Sequence, residues 1–412
     1  MAITCGIDWA ENHHDVALVD EAGQLVAKRR VNDDAEGYRQ LLGMLAEAGD
    51  SLQDPIPVAV ETARGLLFAC LRATGRKVYS INPMAVARYR ERYRVGRAKS
   101  DHADAMALAN ILRTDADVHR PLPADSELAQ AVSVLARAQQ DAVWNRAQLN
   151  NQLRSHLKQY FPAALAAFQV RGVGLDSREA RTVLSAAPDP ATAARLTRTQ
   201  LRSLLRKSGR QRNIDTWTDR LKSVFTSDCL RQLPLVEEAI GRQTAALVLQ
   251  LDAACQAADD LAAAAAEAFA QHPDNEIISS FPGIGPLTGA RVLGEIGDNR
   301  SRFRDARALK AYAGAAPITV ASGKSHAVHH RRVKNQRLAA AGYVWIFGAL
   351  PSPQVKEQYD RRRARGDRHT AAMRNLFNRL LGCLHHCLAT RQNFDPAKAF
   401  PALATTAGPA AT

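Results

Sequence analysis

Three short segments near the N terminus, each alternating apolar and polar residues, most strongly constrain how this chain can fold. They cover residues 3–9, 15–20 and 24–31, and the turn "EAGQ" separates the second from the third. Alternation with a period of two is typical of half-buried strands, and short turns between such strands favour antiparallel pairing. The sequence therefore predicts an antiparallel meander at the start of the chain.

A strand–helix–strand unit is predicted after the meander and a helix at about 34–48. The apolar runs at 56–61 and 77–82 are predicted strands, and "LLFACLRATG" between them is a predicted helix that ends at Gly75. Pro83 is placed to begin the next helix. A meander joined to such a unit predicts a mixed α/β sheet.

Strand patterns are missing from about residue 125 to 272. Two long amphipathic segments, beginning "ELAQAV" and "LVEEAI", predict an antiparallel coiled coil or a dimerising arm. The basic segment 195–212 between them either grips a nucleic-acid duplex or is a solvent-facing helix surface. Residues 276–395 are predicted to be mostly helical, with a turn-rich middle at 313–330.

Charge and composition favour a polyanionic partner. The net charge is +14 and the isoelectric point is about 9.8, so the chain should attract nucleic acid. The six scattered cysteines suit a reducing compartment. We see no N-terminal signal and no uncharged apolar run of the roughly 18 residues that a membrane span needs. A cytoplasmic protein without a membrane segment is predicted.

Four carboxylates have the arrangement that two-metal phosphodiester chemistry requires. Asp8 and Glu61 are predicted at strand ends, and Asp101 and Asp104 lie three residues apart on one helix face. Hard carboxylate oxygens suit Mg²⁺, and two such ions stabilise the attacking and leaving oxygens of a displacement. Taken one by one, a turn acid, a strand-end acid and a helix cap would explain these residues as well.

A cation-rich segment precedes the last two acids and alternates with Tyr89 and Tyr93. Guanidinium groups hold phosphates and tyrosines stack on bases, so the segment is a candidate nucleic-acid surface; the alternative is a solvated charged loop. Its cations are Arg88, Arg90, Arg92, Arg94, Arg97 and Lys99.

The stretch "FPGIGPLTGARVLGEIGD" at 281–298 has the form of a helix-hairpin-helix. A Gly-x-Gly turn between two helices can hold a phosphate through its backbone N–H groups, and a packed helix–helix turn is the alternative. The "CLHHC" cluster further on offers no second ligand pair for zinc, and none is assigned.

The segments "GIDWAENHHDVALVD", "VAVETARG", "INPMAVARYR" and "RAKSDHADAMALA" resemble the RuvC-like branch of the RNase H fold. More narrowly, they resemble the Asp-Glu-Asp-Asp transposases of the IS-one-ten insertion-sequence family, which are bridge-RNA-guided recombinases. This resemblance implies metal-binding catalytic acids at Asp8, Glu61, Asp101 and Asp104. The stretch "AGAAPITVASGKS" matches a family motif that implies a catalytic serine at Ser322, with Ser325 as the nearby alternative.

The resemblance also implies an organisation, a mechanism and partners. We expect a RuvC-like catalytic domain at 1–124, a helical dimerisation region at 125–272, a C-terminal transposase domain at 273–396 and a disordered tail at 397–412. The implied reaction is transposition through a covalent phosphoserine. The implied partners are Mg²⁺, donor and target DNA, a non-coding bridge RNA, and further copies of the chain in a dimer or tetramer associated with a bacterial nucleoid.

Three cations after the serine, Arg331, Arg332 and Lys334, are predicted to neutralise phosphates. Two other enzymes fit the same residues. A Holliday-junction nuclease would use the acids to hydrolyse DNA with water and would not need Ser322. A DNA invertase would keep the serine chemistry but act on a chromosomal segment.

Overall fold

The computed structural model of the chain describes residues 2–62, 65–93, 101–170, 173–323 and 325–400, without the side chains of Arg92, Tyr93, Asp101 and Ser325. The chain divides into two compact units, residues 1–124 and residues 125–412. No helix within the described ranges is long and apolar enough to cross a membrane.

The N-terminal unit is a mixed α/β domain built on a five-stranded sheet. The strand order is β3-β2-β1-β4-β5, in which the first three strands are antiparallel and β4 and β5 run parallel to β1. The predicted mixed sheet is therefore confirmed. Its elements are β1 (Thr4–Trp9), β2 (His13–Val19), β3 (Leu25–Asn32), α1 (Ala35–Glu47), β4 (Val58–Val60), α2 (Leu66–Ala73), β5 (Val78–Ser80), α3 (Pro83–Tyr93) and α4 (Asp101–Asp115).

Side chains alternate along each strand, so both faces of this sheet carry apolar residues. Helices cover both faces. On one face Ile7, Val16 and Leu18 pack with Leu41 and Leu71 from α1 and α2. On the other face, Ala59 and Tyr79 pack with the apolar residues of α3 and α4. The direction in which a strand residue points therefore decides which pair of helices it meets.

The second unit begins with two long helices, and the described residues between them form five shorter ones. Contacts between Gln139 and Ala258, and between His156 and Thr244, show that the long helices pack antiparallel. The helices are α5 (Glu127–Tyr160), α6 (Pro162–Phe168), α7 (Arg178–Ala186), α8 (Pro190–Arg195), α9 (Arg198–Lys207), α10 (Ile214–Phe225) and α11 (Pro234–Ala270). Helices α6 to α10 share a core with the C-terminal end of α5 and the N-terminal half of α11.

The remainder of the second unit is mainly helical, as predicted. Its core surrounds Trp345 and also takes in Val132 of α5 and Phe269 of α11. The elements are α12 (Asn275–Ser279), α13 (Pro286–Ile296), α14 (Ala306–Tyr312), β6 (Ile318–Ser322), β7 (Ser325–His329), α15 (Gln336–Ala349), α16 (Pro353–Ala364), α17 (His369–Thr390) and α18 (Pro396–Ala399).

Two features of this region differ from or refine the sequence-based expectation. The turn-rich middle at 313–330 contains a β-hairpin, in which β-branched Val320 and Val328 favour extended backbone. The Gly-x-Gly turn between α12 and α13 packs against α15: a side chain at Gly283 (φ +77°) would overlap the backbone nitrogen of Ala349. Trp345 also donates a hydrogen bond to the carbonyl of Pro282. The packed-turn interpretation therefore fits this segment.

Candidate active site

Two of the predicted acids lie at the carboxyl ends of neighbouring parallel strands. Ile7 of β1 pairs with Val60 of β4. Asp8 follows Ile7 in the chain, and Glu61 follows Val60. Because laterally paired residues share a sheet face, the two side chains point to the same side. Both residues are partly exposed.

Helix α4 lies directly on that face of the sheet. Gly6 shares the face with Asp8, since the two are two residues apart in a strand. A side chain at Gly6 would overlap the carbonyl oxygen of Ala105 and the backbone nitrogen of Ala109. The hydroxyl of Thr4 donates to the carbonyl of Ala109 at 3.0 Å. Glycine at position 6 therefore permits the close approach of α4 to β1.

The third described acid, Asp104, comes from this helix and immediately precedes Ala105. Its side chain is only 5 % exposed and accepts a 2.6 Å hydrogen bond from Arg90 of α3. Asp101 begins α4, and its side chain lies outside the described residues. Among the side chains that are described, no three His, Cys, Asp or Glu residues form a group that could hold a metal ion.

Sequence reasoning missed a further acid on the same face, Asp15. It lies directly opposite Asp8 in the antiparallel pair of β1 and β2, and its side chain is 2 % exposed. Arg30 donates two hydrogen bonds to it, at 2.8 and 3.2 Å, and the Nδ1 atom of His102 lies 2.8 Å away. The predicted antiparallel meander contained the signal, because a short turn between these strands brings the two acids opposite each other.

The cation-rich segment before α4 is only partly described. Arg88 is exposed on α3, whereas Arg90 is half-buried in its ion pair with Asp104. Arg90 therefore compensates a carboxylate of its own chain in this structure. The side chain of Arg92 and the whole of Arg94, Arg97 and Lys99 lie outside the described residues.

Ser322, in the other unit, is the last residue of β6 and lies at the tip of the hairpin. It pairs with Ser325 of β7, and Gly323 in the connecting turn has a left-handed φ of +56°. Glycine adopts that conformation without steric cost, which suits a sharp change of chain direction after Ser322. Ser322 is exposed.

The chain that leaves the hairpin is anchored to the helical core through Asn335. Its backbone N–H donates to the carbonyl of Tyr312 at 2.8 Å, and its side-chain amide donates to Glu295 and to the Tyr312 hydroxyl, both at 2.6 Å. Buried Glu295 also accepts two hydrogen bonds from Arg137 of α5. The pKa of the Arg137 guanidinium is raised above its usual value, mainly because of its hydrogen bonds to Glu295. The base of the hairpin is thus fixed by charge-assisted hydrogen bonds.

The three predicted cations beyond the hairpin have different surroundings. Arg332 is exposed, while Arg331 is partly buried and its Nε has no hydrogen-bond partner among the described residues. The stem of Lys334 packs against Gly314, whose φ of +70° and lack of a side chain make room for it. Arg332 is therefore the most exposed of the three cations.

The basic segment 195–212 is partly neutralised within its own unit. Arg198 pairs with Asp219 at 2.9 Å and Arg202 with Asp215 at 2.7 Å, linking α9 to α10. Arg210 lies over the ring of Trp217. These contacts give several of its cations a structural role.

Comparison with known proteins places both units in one class. A family model described as "Transposase" matches residues 5–162, and one described as "Transposase IS116/IS110/IS902 family" matches residues 275–360. A Streptomyces coelicolor protein described as the candidate mini-circle transposase for IS117 is 61% identical over 404 residues, covering 98% of each chain.

More distant relatives extend over nearly the same length. An uncharacterized protein of insertion element IS116 from Streptomyces clavuligerus is 29% identical over 401 residues, covering 96% of each chain. One of insertion element IS900 from Mycobacterium paratuberculosis is 27% identical over 403 residues, covering 96% of this chain and 98% of the relative. Together these matches define a DNA transposase of an insertion sequence. The chain belongs to the IS110 (IS-one-ten) family of transposases.

Proposed function

We propose that this transposase cuts and rejoins donor and target DNA through a covalent phosphoserine at Ser322, with divalent cations held by Asp8, Glu61, Asp101 and Asp104. The observation that carries the proposal is the convergence on one sheet face of Asp8, Glu61 and the helix that bears Asp104. Acids at the ends of central strands, completed by a helix packed on them, are also what an RNase H-like domain of the RuvC branch provides.

The chemistry of the donor set fits Mg²⁺. All four residues offer carboxylate oxygens, the hard ligands that Mg²⁺ prefers, and no thiol or imidazole is needed. Membership of a transposase family with this quartet supports the use of divalent metal in general. Bound there, Mg²⁺ would stabilise negative charge on the phosphate during displacement.

The chain's own part in the reaction centres on the serine. The Ser322 hydroxyl loses its proton as its oxygen attacks a backbone phosphorus, one P–O bond to a deoxyribose breaks, and that sugar gains a proton and leaves as a hydroxyl. The phosphodiester energy is kept in the serine–phosphate bond, so a second sugar hydroxyl can displace the serine and rejoin DNA. An exposed position at a hairpin tip suits a nucleophile that must reach a large substrate.

The acids and the serine belong to different compact units, and the proposal requires them to meet on one phosphate. We propose that this happens in a dimer or tetramer, in which one copy supplies the acids and another supplies Ser322. Donor and target DNA would be selected by a non-coding bridge RNA. Arg88, Arg90, Arg92, Arg94, Arg97, Lys99, Arg331, Arg332 and Lys334 are proposed to contact nucleic-acid backbones.

A cleavage assay with matched serine variants tests the proposal. Wild type, Ser322→Ala, Ser325→Ala and Asp8→Ala are incubated with end-labelled donor DNA, the RNA transcribed from the flanking element, and Mg²⁺. We expect wild type and Ser325→Ala to give a protein–DNA adduct that survives denaturation, and the other two variants to give none. DNA nicking by Ser322→Ala would instead identify a nuclease that uses water.

A further inference from the structure

A cavity of about 650 Å³ lies in the second unit, well away in sequence from the proposed serine. Its walls are α14, the outer face of α17 and the segment from Gln392 to Ala399 that follows that helix. Its volume is within the range of about 300–1,000 Å³ typical of small-molecule sites. The proposed reaction does not use it.

The cavity wall carries an excess of positive charge. Lys310 reaches across from α14 toward α17, where a side chain at Gly382 would lie 2.8 Å from its Nζ atom. Within the described ranges this ammonium has no hydrogen bond or ion pair. Asp395, the acid among the described lining residues, already accepts hydrogen bonds from the backbone of Ala397 and Lys398. An uncompensated ammonium in a concave wall favours an anion.

A second cation is held in place by its neighbours. The Nε of Arg379 donates to the carbonyl of Ala399 at 2.6 Å, and the guanidinium lies over the Phe400 ring with its carbon 5.0 Å from the centroid. Its two terminal nitrogens have no hydrogen-bond partner in the part of the chain that the structure describes. A guanidinium fixed in this way presents two donors that match the oxygens of a phosphate.

The same wall offers the groups that recognise a base. Asn375 and Asn378 line the cavity, and neither side chain makes a hydrogen bond to a described residue. A free carboxamide supplies both a donor and an acceptor, which is how asparagine pairs with the edge of a base. The exposed ring of His386 adds a surface on which a base can stack.

We propose that this cavity binds one unpaired nucleotide of a nucleic-acid strand, with its phosphate at Lys310 and Arg379 and its base among Asn375, Asn378 and His386. A duplex is too wide for a cavity of this volume, so the base must be unstacked. A simple anion would leave the two amides unused. The inference depends on the transposase binding nucleic acid and not on the chemistry of Ser322.

Photo-crosslinking locates the bound base. Single-stranded DNA and RNA 12-mers of one sequence, each with a single 5-iodouracil, are irradiated with wild-type protein, and crosslinked peptides are identified by mass spectrometry. We expect a crosslink within residues 375–394, and the better of the two strands identifies the natural source. Excess uridine monophosphate that abolished this crosslink at micromolar concentration would point to a free nucleotide and overturn the proposal, as would crosslinks found only elsewhere.

A matched pair of charge variants separates this site from general attraction to polyanions. Lys158 is exposed on α5 and, like Lys310, has no ion pair with a described residue. Lys158→Gln and Lys310→Gln remove the same charge, so both should weaken oligonucleotide binding slightly. We expect a further loss of about fivefold or more for Lys310→Gln alone, since base stacking depends on the seated nucleotide.

The control outcomes distinguish this inference from the proposed function. Equal effects of the two lysine variants, with normal binding by wild type, would overturn the cavity site and leave the serine mechanism untouched. Failure of the wild-type protein to bind either strand would overturn the cavity site, and the cleavage assay on donor DNA would still decide the serine mechanism. If the covalent adduct disappears in Ser322→Ala, and Lys310→Gln weakens oligonucleotide binding no more than Lys158→Gln does, the serine mechanism is supported and the cavity site is not.

Discussion

Asp15 lies directly opposite Asp8 across the first two strands, so the sheet places a buried carboxylate, paired with Arg30 and contacted by His102, beside a proposed metal ligand. Arg30 compensates the charge of Asp15, and the Nδ1 atom of His102, a residue of the same helix as Asp101 and Asp104, lies 2.8 Å from the Asp15 carboxylate. Asp15 therefore connects the strand end to the helix that carries the other acids. We interpret it as a residue that positions the site.

Asp15→Asn tests this interpretation. We expect DNA cleavage to fall about 10- to 100-fold, the usual cost when a residue that orients ligands is changed. The Mg²⁺ concentration for half-maximal cleavage should rise, which a purely structural defect would not produce. Asp20→Asn is the control, because Asp20 ends the same strand region and only caps a turn through Gln24. Equal behaviour of the two variants would contradict the interpretation.

Gly6→Ala should separate α4 from the sheet. The added methyl group would overlap the helix backbone, and we expect a loss of about 1–3 kcal/mol in the free energy of unfolding together with a loss of cleavage. Gly43→Ala is the matched control: Gly43 lies in α1 with open space around it, and alanine there should stabilise the helix by about 0.5–1 kcal/mol. Urea denaturation measures both, and an unchanged midpoint for Gly6→Ala would refute the close approach.

Arg90→Gln should destabilise the N-terminal unit. The change leaves the buried Asp104 carboxylate without its 2.6 Å partner, and we expect a cost of about 1–3 kcal/mol, measured by urea denaturation without added metal. Arg88→Gln removes an exposed cation two residues away and should stay within about 0.5 kcal/mol of wild type. If the two variants lose equal stability, the ion pair between Arg90 and Asp104 does not contribute to the free energy of unfolding.

Tyr160 should make the stability of the helical unit depend on alkaline pH. Burial raises the pKa of its hydroxyl from 10.0 to about 12, and the hydroxyl donates to the carbonyl of Pro188 at 2.6 Å and contacts Thr244. Because the folded state favours the neutral form, its stabilisation is complete below pH 10 and is lost as the pH rises toward 12. Tyr160→Phe should cost about 1 kcal/mol near pH 8 and flatten this decline in chemical denaturation. If the stability of Tyr160→Phe declines with rising pH in the same way as that of wild type, Tyr160 is not the source of the pH dependence.

Alternation along the first strands, together with the apolar runs at 56–61 and 77–82, was enough to predict the sheet and the strand ends that carry Asp8 and Glu61. The same pattern could not show that Arg90 pairs with Asp104, because this contact depends on the tertiary angle between α3 and α4. Asp15 could have been predicted, because the antiparallel pairing of the first two strands fixes which residue lies opposite Asp8. The hairpin at Ser322 was predicted only as turns, because its strands are short and mostly exposed and so lack a buried face.

The antiparallel course of α5 and α11 has a consequence for how such chains vary in length. Val132 near the start of α5 and Phe269 near the end of α11 belong to one core. The chain therefore returns, after α6 to α10, to the core from which α5 begins. Adding matched turns to both helices would move the distal helices outward by about 1.5 Å per residue. Growth or shortening at that tip can therefore change the reach of the molecule while both of its anchoring ends stay where they are.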